Sequence, residues 1–552
     1  MLNLKNKIIY QIYPQSFKDS NNDGFGDLKG IISKIDYFVK LGVDVLWITP
    51  IFKSPRYDNF YDISDYYEID PLFGTLDDLK ELIAIAKQHN IQIMLDMVLN
   101  HSSIYHKWFQ KALKGNKKYQ EFYFFKDNIN NNPPTNWKSK FGGPAWKYNP
   151  EIDKWNLALF DKTQADLNWN NPKVKSEIFK IVNYWINLGI ECFRFDVINL
   201  ISKPKQFIDC NLEQSDGREF YTDGPEVHNF IKQLNQNTFG KLSNSITVGE
   251  LSSTSIKNAL QYSNSNLDEL SMVFNFHHLK VDYKNEQKWN LKRWSKKEFK
   301  NILINWQEHF LANNSTMALF LNNHDQPRIN SRFGNVKKYW YQSSTLFAGL
   351  IFSLVGVPYV FQGEEIGMTN GDFQNIKKYQ DVESTNFYHF QIKKQSEKTV
   401  LKILSKISRD NSRTPFQWNN QVYAGFSKHI PWIKVNKNYS KINLESQIND
   451  PNSVFSFYQK IILLRKNNSV LTNGDIKFIQ SSNNLFVFTR KFKQNKLLFL
   501  FNLSQQNQKI SSFLNLNFNY KIKFSNYQNK KFDFKILEPL NFVVLSYEKK
   551  IF

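Results

Sequence analysis

Residues able to do acid–base chemistry stand at the downstream ends of several short apolar runs in this chain. Asp96 lies in "IQIMLDMVLN", with Asn100 and His101 just beyond it. Arg194 and Asp196 lie in "CFRFDVIN", Glu250 ends "SITVGE", and His324 and Asp325 end "MALFLNNHD". Brought together, carboxylates, two histidines and an arginine have three uses: glycoside hydrolysis by a carboxylate pair, metal binding, or structural ion pairing. The histidines lack the close paired spacing of zinc sites, which weighs against a dedicated metal centre. A lone Asp at a strand end is more often structural, but several such ends together with "FRFD" and "NNHD" favour catalysis. Arg194 and Asp196 are two apart and share one face of a strand. A fixed cation there is expected to keep Asp196 ionised.

Something must converge these ends. Eight runs rich in β-branched and aromatic residues recur: "IIYQIYPQSF", "VDVLWITP", "IQIMLDMVLN", "CFRFDVIN", "SITVGE", "LSMVFNF", "MALFLNNHD" and "VPYVFQGEE". Amphipathic helical text lies between several of them, most plainly "LDDLKELIAIAKQHN" and "SEIFKIVNYWINLG". Strands alternating with helices pair in parallel, and eight of them predict a closed (β/α)8 TIM barrel whose C-terminal strand ends form one face. The third run is followed by a long stretch rich in Trp, Tyr, Asn and Pro, too long for an ordinary loop. The expected organisation is a barrel over residues 1–101 and 171–472, a small inserted domain over 102–170, and a C-terminal antiparallel β-sandwich over 473–552, where the text alternates as in "NLFVFTRKF".

The net charge of +22 over 552 residues invites a nucleic-acid reading. However, the chain has 62 Lys against 10 Arg, spread throughout, and no recognition motif accompanies them. The most apolar stretch, "LFAGLIFSLVGVPYVF", is broken at "VGVP" and reads as a buried helix entering a strand rather than a membrane span. The N-terminal text shows no signal-peptide pattern, and Cys192 and Cys210 have no metal-ligand spacing. A cytoplasmic monomer is expected, acting on a small molecule, with no nucleic-acid or membrane partner.

"DMVLNH", "CFRFDVIN", "VGE" and "NNHD" resemble four characteristic segments of glycoside hydrolase family 13, the α-amylase family, in the right order. That resemblance implies a retaining double displacement. Asp196 would be the nucleophile, Glu250 the acid/base, and Asp325 the residue holding sugar hydroxyls as the ring flattens. His101 and His324 would hold further hydroxyls, with Phe141, Phe160 and Gln164 as further sugar contacts. "SPRYDNFYDISDY" resembles the α-glucosidase branch, in which Asp58 and Arg413 would pair to close the non-reducing end and Tyr61 would stack on the sugar. Val197 at its position accompanies α-1,6 and related links in that branch. "NWKSKFGGPAW", "TQADLNW", "GREFYTDGPEVHNF", "VGELSSTS" and "ELSMVFNFHHLKVDY" resemble the members that hydrolyse a phosphorylated disaccharide, trehalose 6-phosphate; oligo-1,6-glucosidase or a broader α-glucosidase activity is the alternative. Lys280 and Lys288 are then candidate phosphate contacts. The family usually has Gly where Cys192 stands, and simple packing is the expected role of that side chain.

One loop remains. "DSNNDGFGDL" places Asp19, Asn21, Asp23 and Asp27 at the alternate positions of a calcium loop, but position twelve is Gly30 rather than Glu. A strand pattern precedes it and no second such loop follows, so a calcium sensor is not expected. Asp19, Asn21, Asp23, Asp27 and the carbonyl of Phe25 could hold one structural calcium ion. The resemblance agrees, and an Asx-rich turn without metal is the alternative.

Overall fold

A computed structural model describes residues 4–515, 517–527 and 532–549. The expected C-terminal domain therefore includes positions outside the described residues (516, 528–531 and 550–552). All eight expected strands form: β1 (Ile9–Ile12), β2 (Val45–Ile48), β3 (Gln92–Met97), β4 (Cys192–Phe195), β5 (Ile246–Glu250), β6 (Met272–Phe274), β7 (Ala318–Leu319) and β8 (Val357–Phe361). They pair in parallel in the order β6-β5-β4-β3-β2-β1-β8-β7. A parallel bridge between Val273 and Met317 brings the two edges together, giving a nearly closed (β/α)8 barrel. β1, β2, β4, β5, β6 and β8 are buried at every position, which is why they read as unbroken apolar runs.

The helices follow their sequence signals. Leu76–Gln88 starts at a capping box made by Thr75 and Asp78 and buries Leu79, Leu82 and Ala86. Pro172–Asn187 has Asn171 as its cap, Pro172 in its first turn, and buries Val174, Ile178, Ile181, Val182 and Trp185. "LFAGLIFSLVGVPYVF" is the buried helix Trp340–Ser353 running into β8. Among the described residues no helix is long and apolar enough to cross a membrane.

Between β3 and β4 the inserted stretch folds a three-stranded antiparallel sheet, Phe125–Asp127, Lys154–Leu157 and Trp146–Asn149. Its core of Trp137, Trp146, Leu157 and Leu159 includes Val197, Leu200 and Tyr221 from beyond β4. The insertion is thus packed onto the loop that follows Asp196. The C-terminal region forms a five-stranded antiparallel sheet beginning at Asp475. The buried Arg465 fixes the nearby barrel by donating from Nη1 to Phe352 O at 2.7 Å and from Nη2 to Lys5 O at 3.1 Å.

Candidate active site

The barrel register sets the chemistry. Arg194 on β4 sits opposite Asp96 on β3, and Phe195 sits opposite Gly249 on β5. The next residues, Asp196 and Glu250, therefore leave neighbouring strand ends side by side. Gly249 leaves room there for Leu270 and Ile198, whose side-chain ends a Cβ would meet at 2.5 Å and 3.0 Å. Val197 follows Asp196 with φ of 34°, a left-handed conformation rare for a β-branched residue. Such strain persists where packing imposes it, and Val197 is part of the inserted domain's core.

One guanidinium serves three carboxylates. Arg194 Nη1 donates to Asp96 Oδ1 at 2.6 Å and to Asp196 Oδ1 at 2.8 Å, and Nη2 donates to Glu250 Oε2. All four side chains are buried. Burial pushes the Glu250 carboxyl up to about 8, against the pull of Arg194 and helped by the charges of Asp196 and Asp325. Burial likewise raises Asp196, to about 7, with Arg194 opposing and Asp96 adding to the rise. Arg194 stands beside Asp196 as expected, and its charge favours the ionised form, but the cation is divided among three acids and desolvation opposes it. A hydrogen bond between the two carboxyl groups lowers Asp196 and raises Glu250. The site thus holds a proton near neutral pH on Glu250 and leaves Asp196 the better base.

Asp325 is different. Burial would raise it, but His324, Arg409, Arg413 and Lys288 together hold it well below the usual carboxylate range. Arg413 Nη2 lies 2.7 Å from Asp325 Oδ1, and its Nε donates to His324 O at 2.8 Å. The expected pairing of Asp58 with Arg413 is not formed. Arg409, one turn earlier in the same motif, takes that place: its Nη2 lies 2.9 Å from Asp58 Oδ1 and 2.6 Å from Asp381 Oδ1. Arg413 instead reaches Asp325 and the His324 carbonyl. Asp381 is a partner that sequence reasoning missed.

His101 does not end β3, as expected, but begins the short strand His101–Ser103, paired with Gln164–Asp166 of the insertion; that strand straddles the expected boundary at 101/102. Its Nε2 lies 3.2 Å from both Tyr61 O and Gln164 Nε2. The fully buried Lys203, also unanticipated, ties this pair to the loop after β4, with Nζ 2.7 Å from both Asn100 Oδ1 and Asp166 Oδ1. β7 likewise stops at Leu319, so His324 and Asp325 stand on the following loop rather than at its end. Tyr61 stacks on the His324 ring at 5.3 Å, Phe141 lies 5.7 Å edge-on to Phe160, and the Arg409 guanidinium covers Phe141 at 4.8 Å.

These side chains enclose a cavity of about 150 Å³ lined by Asp58, Tyr61, His101, Phe141, Phe160, Gln164, Asp196, Val197, Glu250 and Asp325, with Lys288, Gln326, Glu383 and Arg409. Phe141, Lys288 and Glu383 also line a neighbouring cleft of about 1270 Å³.

The family model for the alpha-amylase catalytic domain matches residues 11–474. The chain belongs to the α-amylase family. It is 46% identical over 502 residues to the trehalose-6-phosphate hydrolase of Bacillus subtilis (strain 168), covering 90% of this chain and 89% of that one. It is 39% identical over 510 residues to an oligo-1,6-glucosidase of Parageobacillus thermoglucosidasius, covering 91% and 90%. The crystal structure of trehalose-6-phosphate hydrolase from Bacillus licheniformis superposes with a TM-score of 0.93 at 43% identity, covering 99% of this chain and 100% of that one.

The remaining expected residues of this α-amylase-family glycosidase fall as follows. Lys288 stands at the junction of cavity and cleft, but its Nζ is 2.5 Å from Glu383 Oε2. Lys280 is half-buried beside the short helix His277–Leu279 and is not among the residues lining the cleft. Cys192 is wholly buried, and burial pushes its thiol up to about 12, so it packs as an inert side chain.

In the Asp19–Asp27 loop the side chains are turned onto backbone. Asp19 accepts from the N–H groups of Asn21, Asn22 and Gly24, and Asp27 from those of Ser20 and Gly30. Among the described residues no three acidic, His or Cys side chains converge as a metal would require. The donor set itself, all hard oxygens, suits calcium.

Proposed function

We propose that this enzyme hydrolyses trehalose 6-phosphate to glucose and glucose 6-phosphate with retention at the anomeric carbon. The observation that carries the reading is a small cavity, walled by Asp196 and Glu250, that shares Phe141, Lys288 and Glu383 with a larger cleft. Its 150 Å³ is well below the roughly 300–1,000 Å³ of drug-sized sites, so it suits one sugar ring. Asp58, Arg409 and Gln164 close the non-reducing end. Asp196 attacks the anomeric carbon while Glu250 gives its proton to the leaving oxygen, and glucose 6-phosphate departs. Glu250, now ionised, takes a proton from water, which releases glucose from Asp196. Asp325, His101 and His324 hold hydroxyls of the flattening ring; the His324 Nε2, 3.2 Å from Asp325 Oδ2, is otherwise without a partner among the described residues.

Identity of 46% with a trehalose-6-phosphate hydrolase, against 39% with an oligo-1,6-glucosidase, supports the phosphorylated substrate. Lys280 and Lys288 are assigned to its phosphate. Glucose 6-phosphate release, followed with a coupled dehydrogenase, tests both points. Replacing the two lysines with Ala should raise KM for the phosphorylated sugar at least tenfold more than for an aryl glucoside; equal losses would remove them from the phosphate site. We assign the reaction to the cytoplasm, since an anionic phosphate ester crosses a bilayer poorly.

We infer as well that one calcium ion is held by Asp19, Asn21, Asp23, Asp27 and the Phe25 carbonyl. Burial raises the Asp27 carboxyl and the Asp19 charge adds to it, a repulsion that a cation would relieve. The metal-loaded protein should melt a few degrees higher than after chelation, about what saturating a tight site contributes in a large domain. An unchanged melt and metal-free protein would favour the bare turn.

A further inference from the structure

Two cations in stretches that resemble the phosphorylated-disaccharide hydrolases have no role in the mechanism above. Lys140 lies in "NWKSKFGGPAW" and Arg218 in "GREFYTDGPEVHNF". Both line the larger cleft, with Phe141, Ser253 and Lys288. Lys140 Nζ donates to Ser252 Oγ at 3.1 Å, two residues beyond Glu250, and lies 5.5 Å over the Tyr221 ring. Neither contact neutralises the ammonium. Arg218 forks onto Asp216, with Nε 2.8 Å from Oδ1 and Nη2 2.6 Å from Oδ2, and its side chain remains 43% exposed. Lys288, in the same lining, is likewise paired, with Glu383.

The cations also act on one another. Burial pushes Lys140 down to about 8, and the charges of Arg218 and Lys280 add to that fall while Asp216 and Glu250 oppose it. Lys280 is lowered by burial and then by Arg218, with Glu286 opposing. Lys140 and Arg218 thus line the cleft with Asp216 and Glu286, beside the group that protonates the leaving oxygen, and over the whole lining five Lys and Arg side chains stand against three Asp and Glu. A cationic surplus in a cleft is an anion site. An ammonium and a guanidinium fork together suit a dianion with three oxygens.

We propose that Lys140 and Arg218 are further specificity-determining residues that bind the phosphomonoester of the leaving sugar. This rests on the reading of the substrate as a phosphorylated disaccharide. A phosphate held by Lys140 lies on the leaving-group side of Glu250, so an unphosphorylated disaccharide of the same linkage forfeits these contacts and leaves the cations unpaired.

Lys140→Met and Arg218→Met keep most of each stem and remove the charge. The first readout is kcat/KM for trehalose 6-phosphate divided by kcat/KM for p-nitrophenyl α-D-glucopyranoside, which corrects for any loss of folded enzyme. Each variant should lower the ratio at least tenfold, and Lys140→Arg should recover most of it. The second readout is inhibition of aryl-glucoside cleavage by glucose 6-phosphate, whose Ki should rise by a similar factor. A ratio and a Ki within twofold of wild type in both variants would overturn the proposal. Wild-type enzyme that releases no glucose 6-phosphate would sink the substrate reading instead. In that case the inhibition still decides the anion site: a wild-type Ki for glucose 6-phosphate no tighter than for glucose would remove it.

Discussion

Glu250→Gln is expected to lower kcat/KM for trehalose 6-phosphate about 10³-fold, within the 10²–10⁴ range of a general acid. The amide keeps an oxygen for Arg194 Nη2, so the geometry survives and only the proton is lost. Cleavage of an aryl glucoside, whose leaving group needs little protonation, should suffer less in the first step. The wild-type pH profile should fall on the alkaline side near 8, as Glu250 loses its proton, and on the acid side near 7, as Asp196 gains one. These limbs belong to the pair, because the two carboxyls share a hydrogen bond. Gln at 250 removes the alkaline limb. A variant that keeps that limb, or loses less than tenfold on the phosphorylated sugar, would show that another group supplies the proton. Stability should fall with rising pH as well. A carboxyl whose folded pKa is raised binds its proton more tightly in the native state, so stability falls as pH rises from the unfolded value toward about 8. The wild-type Tm should therefore decline over that window, and Glu250→Gln should decline less.

Arg409→Met is expected to destabilise the protein by about 3–5 kcal/mol, the usual result of leaving buried partners of an ion pair uncompensated. Asp58 and Asp381 both lose their closest cation, and Asp58, which burial already pushes up to about 7, is left with Gln164 at 3.2 Å. In a double-mutant cycle Asp58→Asn should couple to Arg409→Met by at least about 1.5 kcal/mol and only weakly to Arg413→Met. KM should rise with the open non-reducing end. Stronger coupling of Asp58 to Arg413 would restore the pairing that the motif alone suggested.

That contrast shows what could be read from the sequence. The eight barrel strands were legible because strands covered on both faces must be apolar along their length. Asp196, Glu250 and Asp325 could be singled out because several such ends carry polar residues together and their segments resemble those of one family, and the fold brings Asp196 and Glu250 to one cavity with Asp325. The choice between Arg409 and Arg413 was not legible. "RDNSR" offers two guanidiniums four residues apart, and which one reaches Asp58 depends on contacts some 350 positions away. Asp381, in the ordinary helical text "DVESTNF", gave no signal for the same reason. Lys203 and Lys140 were hidden among 62 lysines; only the fold separates the buried ones from the solvated rest. Strand seven was found but drawn too long, since "LFLNNHD" carries apolar residues into a loop whose purpose is to bring His324 and Asp325 over the barrel.

Competition between the two disaccharides decides the substrate. Trehalose 6-phosphate and isomaltose, supplied together at equal concentration, are consumed in the ratio of their kcat/KM values. Trehalose 6-phosphate should disappear at least 100-fold faster, with one glucose 6-phosphate formed for each glucose. Faster loss of isomaltose, with no glucose 6-phosphate, would contradict it and make the enzyme an oligo-1,6-glucosidase.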